Sequence, residues 1–142
     1  MTRMFLDTNV FLYAIGGQGP YKEPCRAILS AVGRGVLDAV TNTEVLQEIL
    51  HVRARRVNIK DGTSAARAAA GIVGEVLPVT QQDVLRACSV LDRHPTLGAR
   101  DALHVAVMNH AKLTLLVSVD RDFDSIKTLK RLEPSDVVSL LG

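Results

Sequence analysis

The stretch Met4-Phe5-Leu6-Asp7-Thr8-Asn9 decides how the rest of the chain is interpreted. Its three apolar residues have the length of one short buried strand, and the polar residues after them are typical of a helix start. Residues 10–15 continue as a helix, which Gly16-Gly17-Gln18-Gly19-Pro20 ends. The stretch therefore predicts a carboxylate at the carboxyl end of a buried strand.

The rest of the 142-residue chain repeats this alternation of strand and helix. Further strands are predicted at 36–40, 76–79, 115–119 and, more weakly, around Leu132. Apolar spacings of three and four residues predict helices over 22–33, from Asn42 or Thr43, from residue 63 or 64, from about residue 81, and over 100–111. Thr43 is the predicted N-cap of the second of these helices. Pro78 favours an edge position for the third strand. The pattern predicts one α/β domain over 1–142 with a mostly parallel central sheet.

The cysteines and the apolar runs bear on the cellular compartment. Cys25 and Cys88 come without a secretory signal, so we expect both thiols to be reduced and buried. Thr80-Gln81-Gln82-Asp83 resembles a helix cap, and the helix after it is expected to bury Val84, Ala87, Cys88 and Leu91. No apolar run approaches the ~18–20 residues of a membrane span, so we expect a cytoplasmic protein with no membrane partner.

Four acidic residues stand where such a fold would bring them together. Asp7 and Asp120 close two predicted strands, Glu48 lies on the helix after the second strand, and Asp101 lies in the first turn of a later helix. All four border apolar sequence, so the gathered carboxylates would repel one another and need a counter-charge. Oxygen ligands without a His or Cys cluster favour Mg²⁺, or Mn²⁺, over zinc. Such an ion activates water for attack on a phosphodiester, and the basic excess elsewhere in the chain suits a nucleic acid.

Each acid also has a purely structural interpretation. Asp101 could serve only as a favourable charge at a helix N-terminus, and Asp7 as a simple cap. Asp120 lies in an alternating-charge segment that is typical of solvated surface. Glu44 and Glu48 are four residues apart on one helix face and could both be solvated. These interpretations work one at a time, but they do not explain why the acids fall at two strand ends and two helix starts.

Four segments, in order, resemble the motifs of the PIN-domain nucleases, in particular the VapC-like toxins of bacterial type II toxin–antitoxin pairs. Phe5-Leu6-Asp7-Thr8-Asn9-Val10 is similar to the first motif, an apolar strand that ends in Asp-x-Asn/Ser. Thr41-Asn42-Thr43-Glu44-Val45-Leu46-Gln47-Glu48-Ile49-Leu50 is similar to the second. Arg100-Asp101-Ala102-Leu103-His104-Val105-Ala106 resembles the third, Asp-x-x-His-x-Ala, and Ser118-Val119-Asp120-Arg121-Asp122-Phe123 the fourth, Thr/Ser-x-Asp-x-x-Phe.

The resemblance implies a PIN-like three-layer fold and a homodimeric, Mg²⁺- or Mn²⁺-dependent endoribonuclease that a cognate VapB-like antitoxin holds inactive. It implies Asp7 and Asp101 as the principal metal ligands, with Glu48 and Asp120 completing the catalytic site. It implies supporting roles for Asn9, Ser118, Asp122 and Asp124. Two departures are mild: Ser118 stands where Thr is commoner, and Glu44 competes with Glu48 for the acidic position of the second motif.

Several other residues have open roles. His104 is either a general base or, as we prefer, a packing histidine. Arg53, Arg55 and Arg56, with Lys60 nearby, either contact RNA or an acidic antitoxin segment, or form a solvated helix end. No aromatic platform for base stacking is evident from the sequence.

Other classes of protein fit less well. A haloacid-dehalogenase-type phosphatase needs a second acid two residues after the first, where this chain has Asn9. A response-regulator receiver needs paired acids and a late lysine that the pattern does not supply. A housekeeping PIN nuclease, or a non-catalytic binding module that keeps the fold, remains the alternative, since fold alone does not prove function.

Overall fold

A computed structural model describes residues 2–142 and has one five-stranded sheet in the order β3-β2-β1-β4-β5, with every neighbouring pair parallel. The strands described are β1 (Met4–Leu6), β2 (Ala39–Asn42), β3 (Glu75–Leu77), β4 (Leu115–Val117) and β5 (Lys130–Leu132). The helices described are α1 (Thr8–Ile15), α2 (Lys22–Gly33), α3 (Thr43–Arg56), α4 (Ile59–Ile72), α5 (Gln81–Arg93), α6 (Ala99–His110) and α7 (Pro134–Leu140), with a 3-10 helix over Arg121–Ser125. The predicted α/β architecture with a parallel sheet flanked by helices is confirmed.

The first strand lies at the centre of the sheet, between β2 and β4. Phe5 and Leu6 are almost fully buried, and the Thr41 hydroxyl donates to the Leu6 carbonyl at 2.9 Å. The backbone N–H of Asp7 donates to the carbonyl of Val117 at 3.1 Å, which continues the sheet ladder one residue beyond β1. Asp7 is therefore held at the carboxyl edge of the sheet by a buried central strand.

Several element boundaries differ from the sequence-based expectation. The second strand begins at Ala39 rather than residue 36, because the N–H groups of Val36 and Leu37 donate to the Ala31 carbonyl and close the end of α2. The fourth strand ends at Val117, so Asp120 lies three residues beyond it. Helix α4 begins at Ile59, several residues early, because the Asn58 side chain caps it by accepting from the Asp61 N–H at 2.7 Å.

Helix α5 is rotated relative to the expectation. The predicted cap is present, with the Asp83 carboxylate accepting from the Thr80 N–H at 2.9 Å. That bond turns Asp83 inward, and Ala87 and Val90 follow it into the core. Val84 is consequently 48% exposed and Cys88 is also exposed, so the prediction that both are buried was wrong. The cysteines are free as expected, but only Cys25 is buried.

The edge position of the third strand is confirmed, since β3 pairs only with β2 and ends before Pro78. The N-cap of α3 is Asn42 rather than Thr43. Over residues 2–142, no helix combines the length and the apolar character that crossing a membrane requires.

The contact between α3 and α4 supplies a stability test. A Cβ at Gly62 would lie 2.8 Å from the Ala54 nitrogen and the Leu50 carbonyl oxygen, which are backbone atoms of α3, whereas a Cβ at Gly71 would meet nothing within 4 Å. Gly62→Ala is expected to lower the free energy of unfolding by about 1–3 kcal/mol through overpacking, despite the better helix propensity of Ala. Gly71→Ala, in the same helix, is expected to raise it by up to about 1 kcal/mol. Urea denaturation measures both, and equal effects of the two variants would contradict the close approach of these helices.

Candidate active site

Asp7 joins the sheet to the first helix. It has extended backbone geometry and is the N-cap of α1, where its Oδ1 accepts from the Thr8 N–H at 2.8 Å. The residue is only 5% exposed. A carboxylate this buried needs hydrogen-bond donors to offset the loss of water.

Two neighbouring side chains supply those donors. The Ser118 hydroxyl donates to Asp7 Oδ2 at 2.7 Å, and Asn9 Nδ2 donates to the same oxygen at 3.2 Å. Asn9 Nδ2 also contacts Ser118 Oγ at 3.0 Å, and that oxygen accepts from the Asp120 N–H at 3.0 Å. These bonds hold the Asp7 carboxylate in one orientation, which fits the supporting roles expected for Asn9 and Ser118.

Asp101 and Asp120 meet across the same space. Asp101 lies in the first turn of α6, whose N-cap, Gly98, has no side chain to cap it. Burial, together with the negative charge of Asp7 and a side-chain hydrogen bond with Asp120, raises the pKa of Asp101 to about 8. Burial also raises the pKa of Asp7, against the opposing effect of the Ser118 hydrogen bond. Without a cation, Asp101 therefore holds a proton near neutral pH and donates it in a hydrogen bond to Asp120.

A pocket of about 490 Å³ opens between these groups, and the acids that line it are Asp7, Glu48, Asp101 and Asp120. Glu48 is oriented by the Thr8 hydroxyl, which donates to its Oε1 at 2.8 Å, and by Arg100 at 3.4 Å. The same Arg100 guanidinium lies 3.3 Å from Glu44, which does not line this pocket. Of the two acids in α3, Glu48 is thus the one that faces the site.

His104 lies beneath the pocket in a defined protonation state. The Asn42 Oδ1 accepts from the Val45 N–H at 2.9 Å, which leaves Asn42 Nδ2 to donate to His104 Nδ1 at 2.9 Å. The ring proton is therefore on Nε2, which lies 3.7 Å from Asp7 Oδ1. Burial lowers the pKa of His104 to about 4, so the ring is neutral at physiological pH. These contacts favour the packing interpretation of His104 over a general base.

The last two predicted acids lie outside the pocket. Asp122 is exposed, and its N–H donates to Asp120 Oδ1 at 2.9 Å. Asp124 pairs with Arg131 at 2.8 and 3.2 Å, and this hydrogen bond lowers the pKa of Asp124. The Arg131 guanidinium also donates to the Ser118 carbonyl at 3.0 Å. Asp124 is therefore connected to the site indirectly, by its ion pair with Arg131.

The three predicted arginines of α3 separate in the structure. Arg53 is held by Asp61 through bonds of 2.7 and 3.3 Å, so its charge is neutralised locally. Arg55 and Arg56 are exposed at the end of the helix. Arg56 lines a second pocket next to the first, whereas Arg55 does not.

The sequence interpretation missed Thr8, Asn42 and Arg100, which orient Glu48 and His104. A signal existed for each. Thr8 follows the first-motif aspartate, Asn42 stands at a helix start, and Arg100 precedes Asp101. The i,i+4 spacing of Glu44 and Glu48 also indicated that one cation could serve both.

The donor set fits a hard divalent cation, because the pocket offers several carboxylate oxygens and burial raises the pKa of two of its carboxyl groups, Asp7 and Asp101. Within residues 2–142, however, no three Asp, Glu, His or Cys side chains are grouped so that together they could hold a metal ion. The carboxylates are instead engaged with the protein: Ser118 and Asn9 donate to Asp7 Oδ2, and Asp101 is hydrogen-bonded to Asp120. Binding a cation here would replace the proton held by Asp101.

The raised pKa of Asp101 predicts a pH dependence of stability. Between about pH 4 and pH 8, folded Asp101 keeps a proton that the unfolded chain has released, so the free energy of unfolding of the metal-free protein should fall as the pH rises through this window. Asp101→Asn removes this titration, so its stability should vary less with pH and exceed that of the unaltered chain at pH 8.

Urea denaturation in EDTA at several pH values measures this dependence. Asp136→Asn, at an exposed position in the first turn of α7, serves as the matched control and should keep the slope of the unaltered chain. Parallel curves for Asp101→Asn and the unaltered chain would show that Asp101 is not held protonated in the fold.

Comparison with known proteins places this chain in a family. The family model of the PIN domain matches residues 4–129. Ribonuclease VapC13 of Mycobacterium tuberculosis is 43% identical over 132 residues, which cover 91% of this chain and 98% of that protein. Ribonuclease VapC7 of the same organism is 34% identical over 140 residues, which cover 96% and 97%.

Solved structures give the same fold. Mycobacterium tuberculosis VapC20, described as a sarcin–ricin loop cleaving toxin, aligns with a TM-score of 0.73 at 20% identity, covering 87% of this chain and 95% of that one. The VapBC complex of Salmonella typhimurium bound to DNA aligns with a TM-score of 0.73 at 16% identity, covering 94% and 99%. From the family-model match and from relatives similar over nearly their whole length, this chain belongs to the PIN domain family.

Proposed function

We propose that this chain is a divalent-metal-dependent endoribonuclease, the toxin of a VapBC-like pair, which hydrolyses RNA phosphodiester bonds in the carboxylate pocket. The observation that carries the proposal is the meeting of Asp7, Glu48, Asp101 and Asp120 around one pocket, where the negative charges of Asp7 and Asp120 surround Asp101. The relatives named as ribonucleases support the reaction, and Mg²⁺ is the proposed ion, with Mn²⁺ as the alternative.

Each residue of the pocket has a proposed task. Asp7 and Asp101 would hold the ion. When bound, the ion would polarise the phosphodiester and lower the pKa of a water molecule. Ser118 and Asn9 fix the orientation of the Asp7 carboxylate through the bonds described above. Thr8 and Arg100 fix the orientation of the Glu48 carboxylate. Asp120 accepts a hydrogen bond from protonated Asp101.

We also propose a VapB-like antitoxin as the partner, because several structural neighbours are toxin–antitoxin complexes. An apolar groove suits an apolar peptide segment, and it lies between α1, α2, α3 and α4 with Phe11, Ile15, Leu29, Ile49 and Ile72 in its lining. Ile15 is 43% exposed there. Such exposed apolar surface is typical of a binding site for another protein.

A homodimer is proposed on a different surface. Helix α5 exposes Val84 and Leu85, at 48% and 53%, next to the exposed Cys88.

We further propose that the whole chain, 1–142, is one PIN domain located in the cytoplasm. β5 and α7 lie beyond the matched residues 4–129, but β5 pairs with β4 and α7 packs on α2.

The activity is tested with purified protein and RNA. We expect cleavage with Mg²⁺ or Mn²⁺ and none in EDTA, and we expect Asp7→Asn and Asp101→Asn each to lower kcat/KM by at least about a hundredfold, since each removes a proposed ligand. The Asp136→Asn protein should cleave like the unaltered protein, because Asp136 is exposed on α7 and does not line the pocket. Undiminished cleavage by a folded Asp101→Asn protein would refute the assigned site.

The toxin assignment is tested in cells. Expression of the chain alone should arrest growth, while expression of Asp101→Asn should not, because arrest depends on RNA cleavage. Co-expression with the product of a small neighbouring gene should restore growth. An active enzyme that is harmless when expressed alone would instead indicate a housekeeping nuclease.

A further inference from the structure

The aromatic side chains are distributed unevenly between core and surface. The chain has three phenylalanines, two tyrosines and no tryptophan. Phe5, Phe11 and Phe123 are buried, at 0%, 3% and 1% exposure. The remaining rings, Tyr13 and Tyr21, lie against each other with centroids 4.9 Å apart and planes inclined by 46°. Tyr13 is 40% exposed, so this pair, unlike the three phenylalanines, presents an aromatic ring to solvent.

The pair lies beside the candidate active site. Tyr13 is in the last turn of α1, and Tyr21 is the residue that precedes α2. Both rings line a pocket of about 390 Å³, which shares Asn9 and Leu12 with the carboxylate pocket. Tyr13 follows Asp7 by six residues of the same helix, a rise of about 9 Å. A ligand of two or three linked units could therefore occupy both pockets at once.

A side-chain hydrogen bond holds the loop between the tyrosines, and the pocket that they line contains basic residues. Lys22 Nζ donates to the Gly16 carbonyl at 2.9 Å, which ties the start of α2 to the end of α1. Lys22 and Arg56 both line the pocket, and no acidic residue is among its described lining residues. Aromatic rings combined with cations are the pattern that binds single-stranded nucleic acid, because bases stack on the rings while the cations contact phosphates.

We propose that the pocket of Tyr13 and Tyr21 binds one base of the RNA beside the cleaved bond, with Arg56 contacting the adjoining phosphate. This inference rests on the proposed ribonuclease function and adds a base-binding subsite to it. A purely structural role, in which the two rings only pack α1 against α2, does not account for the exposure of Tyr13 or for the basic lining. The subsite would let the enzyme prefer some nucleotides next to the cut, since stacking strength differs between bases.

The test uses a single-stranded RNA that the unaltered chain cleaves at one position. Each nucleotide beside that position is replaced in turn by an abasic residue. Tyr13→Leu should raise KM by about fivefold to a hundredfold with little change in kcat, because a stacking contact is lost. Tyr13→Phe keeps the ring and should stay within about twofold of the unaltered chain. At one abasic position the effect of Tyr13→Leu should disappear, since the base that stacks is already absent.

The electrostatic part has a matched control within α3. Arg56→Gln should raise KM more than Arg55→Gln, because the two changes remove the same charge but only Arg56 lines the pocket. Thermal unfolding verifies that each variant is folded, and Tyr21→Phe repeats the ring-preserving test at the second tyrosine.

The outcomes separate this inference from the proposed function. If the unaltered chain cleaves no RNA, the proposed function fails and the subsite fails with it. If the chain cleaves RNA but Tyr13→Leu acts equally on every abasic substrate, or has no effect, the subsite alone is refuted and the tyrosines have a structural or protein-binding role. Loss of the Tyr13→Leu effect at a single abasic position supports the subsite and identifies which nucleotide occupies it.

Discussion

The buried carboxylate of Asp7 is the constraint on which the rest of the site depends. Its backbone extends the central strand towards Val117, and its side chain begins α1 by accepting from Thr8. Its other carboxylate oxygen accepts from Ser118, just after β4, and from Asn9. Burying an ionised group costs several kcal/mol unless it is paired or well hydrogen-bonded, so these donors are a condition for the fold as well as for the site.

The balance of charges around Asp7 is the basis on which we propose that the site holds a cation. The hydrogen bonds to Asp7 offset only part of its desolvation, and Asp101 sits against this charge and that of Asp120. Arg100 lies at the rim, where it pairs with Glu44 and Glu48 rather than with the three aspartates. The fold therefore keeps an electrostatic strain that a proton relieves partly and a divalent ion would relieve more fully.

Much of this arrangement could be predicted from the sequence, because it follows from local patterns. The apolar run before Asp7 and the strand–helix alternation gave the parallel sheet, and strand ends meet at one edge of such a sheet. Contacts between distant segments were less accessible. The side-chain bond of Asp83 rotated α5 away from its apparent apolar face, and the cap at Asn58 lengthened α4 beyond its Ala-rich part.

The tyrosine pair illustrates the same limit. Tyr13 and Tyr21 are eight residues apart across a glycine-rich loop, so neither periodicity nor spacing indicates that their rings touch. The position of Arg56 beside them depends on how α3 packs against α1. The pairing of Asp124 with Arg131 likewise separates it from acids that look equivalent in the sequence.

Calorimetric titration of the chain with Mn²⁺ or Mg²⁺ tests the central claim, that the carboxylates meet to hold a cation. Titrations at pH 7 in buffers of different ionisation enthalpy also measure the protons released. We predict saturable binding that releases up to about one proton per chain, since the ion displaces the proton held by Asp101, and we predict weaker binding without that release for Asp101→Asn. Binding that releases no proton, or that is unchanged in Asp101→Asn, would contradict the account.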